Sequence, residues 1–256
     1  MKKYIQKLIR NFHVLISKNE LPSKISIYFH ETQIQEIEAI EEIIKYFKKL
    51  NYEFVTIDNF NNHENNTKRQ FAFTFDDGFT SWIDLIDIFN KYNVKATFFL
   101  NTIQFTSEEK NKFLYDIKVK SEEKLITVNE LKKLVECGHE IGSHTHSHIT
   151  MKNTNEENFK KEIKQNLDIL NDLKIFPNNF AVPFGMRRHT KNYQIDYLHT
   201  IFSKVCLGEA GMLYNHTKNV IHRYPWIVDK SLEFNIENIK ANTSYFNNMT
   251  KRSGLG

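Results

Sequence analysis

A mainly parallel α/β fold is what this sequence predicts, and three observations carry that expectation. Short apolar runs alternate with amphipathic helical stretches along the chain. Two adjacent carboxylates, Asp76 and Asp77, stand at the end of one such run and before a glycine. That is where active sites of α/β folds gather, at the carboxyl ends of strands. The length, 256 residues, suits an α/β barrel built as one unit.

The elements follow in order. Ile5, Leu8, Ile9, Phe12, Leu15 and Ile16 repeat at helical spacing among Lys2, Lys3, Lys7 and Arg10, so residues 1–24 are expected to hold an N-terminal amphipathic helix. The pattern suits packing against the domain or a second subunit, and it is compatible with peripheral membrane contact. The run 25–29 reads as a first strand. Over 34–50, Ile37, Ile40, Ile43, Ile44 and Phe47 form one helical stripe. A strand over 52–57, a polar loop over 58–68 and the strand 71–75 come next. A helix over 80–92 and a strand over 96–100 follow.

Residues 104–124 are charged and irregular, an insertion suited to shaping or covering a cleft. Thr127, with Glu130 three positions on, opens a helix over 127–137 as a capping box. A short strand at 139–142, a helix over 155–173 and a strand with its turn at 180–185 complete the pattern. The stretch 231–256 is Asn-rich and polar, expected as an exposed tail with one helix. The central 25–230 is expected to be a single domain.

Lys and Arg are scattered among Asp and Glu, and the net charge is +4, so no stripe for nucleic acid exists. Cys137 and Cys206 belong to no paired motif and read as reduced core residues. Residues 1–20 lack an uninterrupted apolar segment and a small-residue cleavage site, and no run is long enough to span a bilayer. The expected location is cytoplasmic.

Two like charges side by side repel, so Asp76 and Asp77 call for a cation or a shared proton; an acidic turn capping the next helix is the structural alternative. The cation has candidate ligands in Gly142-Ser143-His144-Thr145-His146-Ser147-His148. His144 and His148 share a face if the segment turns helically, whereas an extended segment would align His144, His146 and His148. A carboxylate joining two imidazoles makes an open three-ligand site of the kind zinc uses to activate water.

The order Thr74-Phe75-Asp76-Asp77-Gly78, then the histidine cluster, then Phe180-Ala181-Val182-Pro183-Phe184-Gly185 resembles the polysaccharide deacetylase family, the NodB homology domain of carbohydrate esterase family 4. The motif style is similar to its poly-N-acetylglucosamine deacetylase-like subgroup. The resemblance implies a distorted (β/α) barrel and a divalent metal, usually zinc. Its ligands would be Asp77, His144 and His148, with Asp76 as general base. It makes His146 a wall of the pocket, while His139 is read as structural.

Two departures stand out. Ala181 occupies the place of an arginine that pairs with the base in many members, and Arg223 is the candidate to replace it. No Leu-x-His stands near the C-terminus for the acid. In the subgroup that histidine follows the first strand, which designates His30, with His222 in reserve. Pro183, Phe184, Tyr28 and Trp226 are candidates for substrate binding, along with Phe79 and Trp82, and a backbone N–H near Pro183-Phe184 for the oxyanion.

The implied reaction is removal of an N-acetyl group from an amino sugar. With no export signal in view, a nucleotide-sugar, lipid-linked sugar or glycan precursor in surface-glycan assembly is the expected substrate. O-deacetylation, a small non-sugar amide or imide, and a non-catalytic binding protein of the same fold are the alternatives.

Overall fold

A computed structural model of the chain describes residues 21–60, 68–209 and 219–252. The helix expected over 1–24 therefore falls, up to residue 20, outside the described residues.

Strand β1 (Lys24–Phe29) leads through α1 (Ile34–Lys49) to the short β2 (Glu53–Phe54) and to β3 (Gln70–Asp76). A 3-10 turn at Thr80–Leu85 runs into α2 (Ile86–Tyr92) and then β4 (Thr97–Leu100). The irregular insertion contains α3 (Asn111–Asp116). Beyond it come α4 (Val128–Glu136), β5 (Glu140–Ser143), α5 (Glu156–Asp172) and β6 (Asn179–Ala181). The chain ends with α6 (Asn192–His199), β7 (Lys204–Leu207), β8 (Val220–His222), β9 (Tyr224–Pro225) and α7 (Leu232–Arg252).

The strands pair in the order β8-β7-β6-β5-β4-β3-β1-β9, with β2 added on β3, and every pairing is parallel. Parallel neighbours need crossover connections, which explains the helices between them. The two ends of this sheet are consecutive in the chain: β8 pairs with β7, β9 pairs with β1, and Arg223 alone separates them. One short stretch thus borders both edges and brings the sheet almost to closure as a barrel, removing the exposed edges an open sheet would present.

Side-chain alternation along β3 sorts two cores. Phe71, Phe73 and Phe75 face the helices, where Phe47, Phe89 and Trp82 meet them. Ala72 faces the barrel interior with Phe99, Ala181, Cys206 and Ile221, and by the same period Thr74 and Asp76 point inward. All seven residues of β3 are buried, as expected for a strand covered on both faces.

Several expectations are modified. The strand expected over 52–57 is two residues long, and the helix over 80–92 begins as a 3-10 turn. The capping box of α4 is present: Thr127 Oγ1 accepts from the Glu130 N–H while a Glu130 oxygen accepts from the Thr127 N–H at 2.8 Å. The C-terminal stretch is not an exposed tail up to residue 243. Asn235, Ile236, Ile239 and Ala241 of α7 are buried; the first three, with Ile239 four and three positions beyond the other two, share one helix face that the polar composition does not announce. No helix among the described residues is long and apolar enough to cross a membrane.

Candidate active site

Asp76 ends β3 facing inward, buried at 4% exposure. Both of its oxygens are held by Arg223, whose Nη1 and Nη2 each donate at 2.7 Å. The same Nη1 donates to Thr74 Oγ1 at 3.0 Å, and that hydroxyl donates to the Ile27 carbonyl at 2.8 Å. Arg223 is fully buried, with its guanidinium carbon 5.1 Å from the Tyr28 ring and 5.2 Å from the Phe99 ring. Ala181 faces this interior too. A small residue on β6 leaves the room that the guanidinium fills from the closing strand. Burial alone would raise the Asp76 pKa, but the charge and hydrogen bonds of Arg223, together with His144 and His30, outweigh it and hold the carboxyl below its ordinary value.

Asp77 takes a left-handed conformation, φ 85°, with its N–H donating to the Phe99 carbonyl at 3.1 Å. That turn swings its carboxylate away from Asp76 and toward two imidazoles. Oδ1 lies 3.4 Å from Nε2 of His144 and 3.4 Å from Nε2 of His148. Burial opposes the charge on Asp77, yet the neighbouring histidines more than compensate and its pKa falls well below the usual range.

His144 follows directly from β5. Its Nδ1 pairs with the Ala181 carbonyl at 2.8 Å; a carbonyl only accepts, so Nδ1 carries a proton and Nε2 is the nitrogen that faces Asp77. Burial would depress its pKa, but Asp77 and Asp76 raise it. His148 packs against Phe184 with ring centroids 4.5 Å apart, and burial pushes its pKa down to about 4.

The segment between these histidines is neither helical nor extended. Thr145 and His148 both have positive φ, 66° and 56°, and the reversal leaves two histidines facing Asp77. His146 turns the other way, with Nδ1 3.0 Å from Thr102 Oγ1 and Nε2 3.3 Å from Glu108. It is not a wall of the pocket, because the left-handed Thr145 reverses the direction its side chain would otherwise take. Such backbone costs of order 1–3 kcal/mol per residue and must be held by its surroundings.

The holding residues were not singled out in the sequence. Asn166, fully buried on α5, donates to the Thr145 carbonyl at 2.7 Å and to the Leu100 carbonyl at 2.9 Å. Asn101 donates to the His144 and Thr145 carbonyls. Glu162 accepts from the Ser147 N–H at 2.8 Å and from its hydroxyl at 2.6 Å. A readable signal existed for one of them: Asn166 shares the apolar stripe of Phe159, Ile163 and Leu170.

The donor set fits a divalent cation. One carboxylate and two imidazoles offer ligand atoms that all lie within 4.8 Å of one another. Asp77 Oδ1 is buried with no well-directed hydrogen bond, an expensive state for a carboxylate oxygen that a cation relieves. Nitrogen and oxygen donors in an open three-ligand set suit zinc.

These groups line a cleft of about 430 Å³, together with Tyr28, His30, Phe79 and Phe184. His30 follows β1 with its side chain 53% exposed and Nε2 3.9 Å from Asp77 Oδ2. Its carbonyl accepts from Trp82 Nε1 at 3.0 Å, which places Trp82 in the core beneath the site. The insertion contributes Asp116, Ile117 and Lys118 to the wall, as its irregular composition suggested.

Besides Trp82, two further substrate-binding candidates are not in this cleft. Trp226 is buried in the helix-facing layer against Phe29, ring centroids 6.4 Å apart, since it follows β9 on the outward phase of the strand. Pro183 is buried within its turn and exposes Phe184 instead. His222, the reserve acid, is turned to the Glu209 carbonyl at 3.3 Å and does not line the cleft. Arg223, considered for catalysis, reaches the site only through Asp76.

Fold and cluster define a parallel barrel that carries a candidate divalent-metal centre at the carboxyl ends of its strands. Residues 63–199, just over half of the chain, match the polysaccharide deacetylase family, and the chain belongs to it. A peptidoglycan-N-acetylglucosamine deacetylase of Bacillus cereus is 34% identical over 120 residues, 45% of this chain and 36% of that protein. A chitin deacetylase of Arthroderma benhamiae is 33% identical over 100 residues, 39% of this chain and 23% of that protein. The matches thus span about a third or less of these relatives' lengths.

Among solved structures, the Streptococcus pyogenes deacetylase PplD superposes with a TM-score of 0.64 at 16% identity, covering 84% of this chain and 96% of that one. A de-N-acetylase from Aggregatibacter actinomycetemcomitans gives 0.65 at 14% identity, covering 84% and 99%. At such identities the likeness establishes the distorted (β/α) barrel.

Proposed function

We propose that the chain is a zinc-dependent N-deacetylase that hydrolyses the N-acetyl amide of an amino sugar or glycan precursor, in the cytoplasm and in service of surface-glycan assembly. One observation carries this reading. Two adjacent carboxylates are separated in role by geometry, Asp77 facing two imidazoles and Asp76 clamped by a buried arginine. Membership of the polysaccharide deacetylase family supports the reaction class.

Asp77, His144 and His148 would hold a cation, which when bound would supply Lewis acidity toward the acetyl carbonyl and the attacking water. The protein's own groups do the rest. Asp76, kept ionised and oriented by Arg223, takes the proton from the attacking water. His30, half-exposed across the cleft, protonates the departing amine. The Phe184 amide, in the turn closed by the Gly185 N–H on the Val182 carbonyl at 2.9 Å, donates to the developing oxyanion. Phe184 itself, 41% exposed, offers a face for a sugar ring. The Arg223 clamp disfavours the non-catalytic alternative, because it answers the loss of the arginine at position 181.

Acetate release from N-acetylated sugars by zinc-loaded protein tests the reading. Asp76→Asn is expected to lose about 10²–10⁴-fold in kcat, the usual contribution of a general base. Stripping the metal should abolish turnover, and zinc should restore it. Full activity in the variant would remove Asp76 from the base role. Activity indifferent to chelation would remove the metal.

A further inference from the structure

The cleft is electrostatically uneven, and its wall holds a lysine that has no acidic partner among the described residues. At the rim, Glu31 and Asp116 are both neutralised by lysines: Lys124 Nζ lies 2.5 Å from Glu31, and Lys112 pairs with Asp116. Lys118 lines the same wall, exposed, and among the described residues no carboxylate lies within 4 Å of it. Its backbone sits in a left-handed conformation, φ 60°, in the turn that ends α3.

Beyond Phe184, which lines the cleft, the chain continues as a short turn, Arg187–His189. His189 Nδ1 bonds the Phe184 carbonyl at 3.1 Å, and its ring stands edge-on to Phe184 at 6.0 Å. The turn is thereby fixed against the aromatic wall. Arg187 and Arg188 on it are exposed; their hydrogen bonds go to Asn192 at 2.9 Å and to His189 at 3.4 Å, both neutral or cationic groups. Among the described residues neither has an acidic partner.

A neutral oligosaccharide would leave these charges unanswered. We propose that the amino sugar taken by this cleft carries a phosphate ester or diphosphate, met by Lys118 and, further out, by Arg187 and Arg188. The inference rests on the deacetylase reading and narrows its substrate class. Phosphate oxygens accept charge-assisted bonds from lysine and arginine, which are stronger than neutral ones. The chemistry is shared by a nucleotide-linked and a lipid-linked sugar.

The test compares N-acetylglucosamine 1-phosphate, UDP-N-acetylglucosamine, N-acetylglucosamine diphosphate on a short polyprenol, and neutral chitotriose. Initial rates are measured with the zinc-loaded wild-type protein. Calorimetric binding to Asp76→Asn gives a readout that needs no turnover. The expected result is a KM and Kd about tenfold or more lower for the best phosphorylated sugar than for chitotriose, a preference that shrinks as salt is raised. Lys118→Ala should cut the phosphorylated-to-neutral ratio about tenfold, and Lys118→Arg should restore it. The ranking of the three phosphorylated probes separates a nucleotide carrier from a lipid one.

Equal or better handling of chitotriose overturns the proposal. So does a preference that survives Lys118→Ala combined with Arg187→Ala and Arg188→Ala. Acetate release from chitotriose alone leaves the deacetylase reading standing and removes this one. Preferential binding of phosphorylated sugars without release of acetate from any probe does the reverse.

Discussion

Arg223 does not line the cleft, yet it fixes the carboxylate of Asp76, which does. Its fully buried guanidinium is matched by the two oxygens of Asp76 and by the Thr74 hydroxyl. Removing one member of such a pair leaves the other charge buried and alone. Arg223→Met is therefore expected to lower unfolding stability by about 3–5 kcal/mol, read from urea denaturation. Arg223→Lys keeps the charge but not the planar fork. It should retain most of the stability while kcat falls by up to about a hundredfold with KM little changed, because the misplaced group is the proposed base. A lysine variant with wild-type kcat would show that the bidentate clamp does not orient Asp76.

At the scale of elements, the site depends on how irregular segments are tied to regular ones. The left-handed Thr145 and His148 are kept in place by side chains from outside the segment, above all Asn166 of α5. Asn166→Leu is nearly isosteric but leaves two buried carbonyls without that donor. The expected cost is about 1–3 kcal/mol in stability, with zinc affinity falling about 10–100-fold by calorimetry. Stability lost with zinc affinity intact would mean the histidines are oriented by other contacts. The turn after β6 is as tightly constrained. A Cβ on Gly185 would lie 2.8 Å from the Gly208 Cα, and the glycine's φ is +72°. Gly185→Ala should therefore fold poorly or lose the cleft, read from soluble yield and near-ultraviolet dichroism.

The same distinction explains what could be read from the sequence. The strands at 71–75 and 96–100 were legible because continuous apolar runs mark parallel strands buried on both faces. Asp76 and Asp77 were legible from their place at a strand end, whereas the choice of His144 and His148 over His146 rested on the resemblance to the polysaccharide deacetylase family, because spacing alone fits two histidines or three. The strands Lys204–Leu207, Val220–His222 and Tyr224–Pro225 were not legible, because none carries an apolar run longer than three residues. His146 and Trp226 were misplaced for a related reason. Which layer a side chain enters depends on a single positive φ or a single residue of phase, and local composition records neither.

For the whole molecule, near-closure of the barrel packs ionisable groups into places where their protonation bears on the stability of the fold. His139 is the clearest case away from the candidate metal ligands. It is 5% exposed, its Nδ1 accepts from the Ala96 N–H at 3.2 Å, and its ring meets Phe89 and Phe98. Burial, helped by Lys95, pushes its pKa down from 6.5 to about 4. Between those two values the unfolded chain binds a proton that the folded chain excludes. This contribution is therefore fully present above pH 6.5 and is lost as the pH falls toward 4. The shift corresponds to about 3 kcal/mol. His139→Leu keeps the packing but orphans the Ala96 N–H, so it should be less stable than wild type near neutrality by about 1–3 kcal/mol. Since leucine cannot titrate, the gap between the two proteins should narrow steadily on acidification through this window, measured by denaturant titration at successive pH values. Other buried histidines titrate alike in both proteins and cancel from the difference. A gap that stays constant with pH would mean His139 is protonated in the fold as readily as in the unfolded chain.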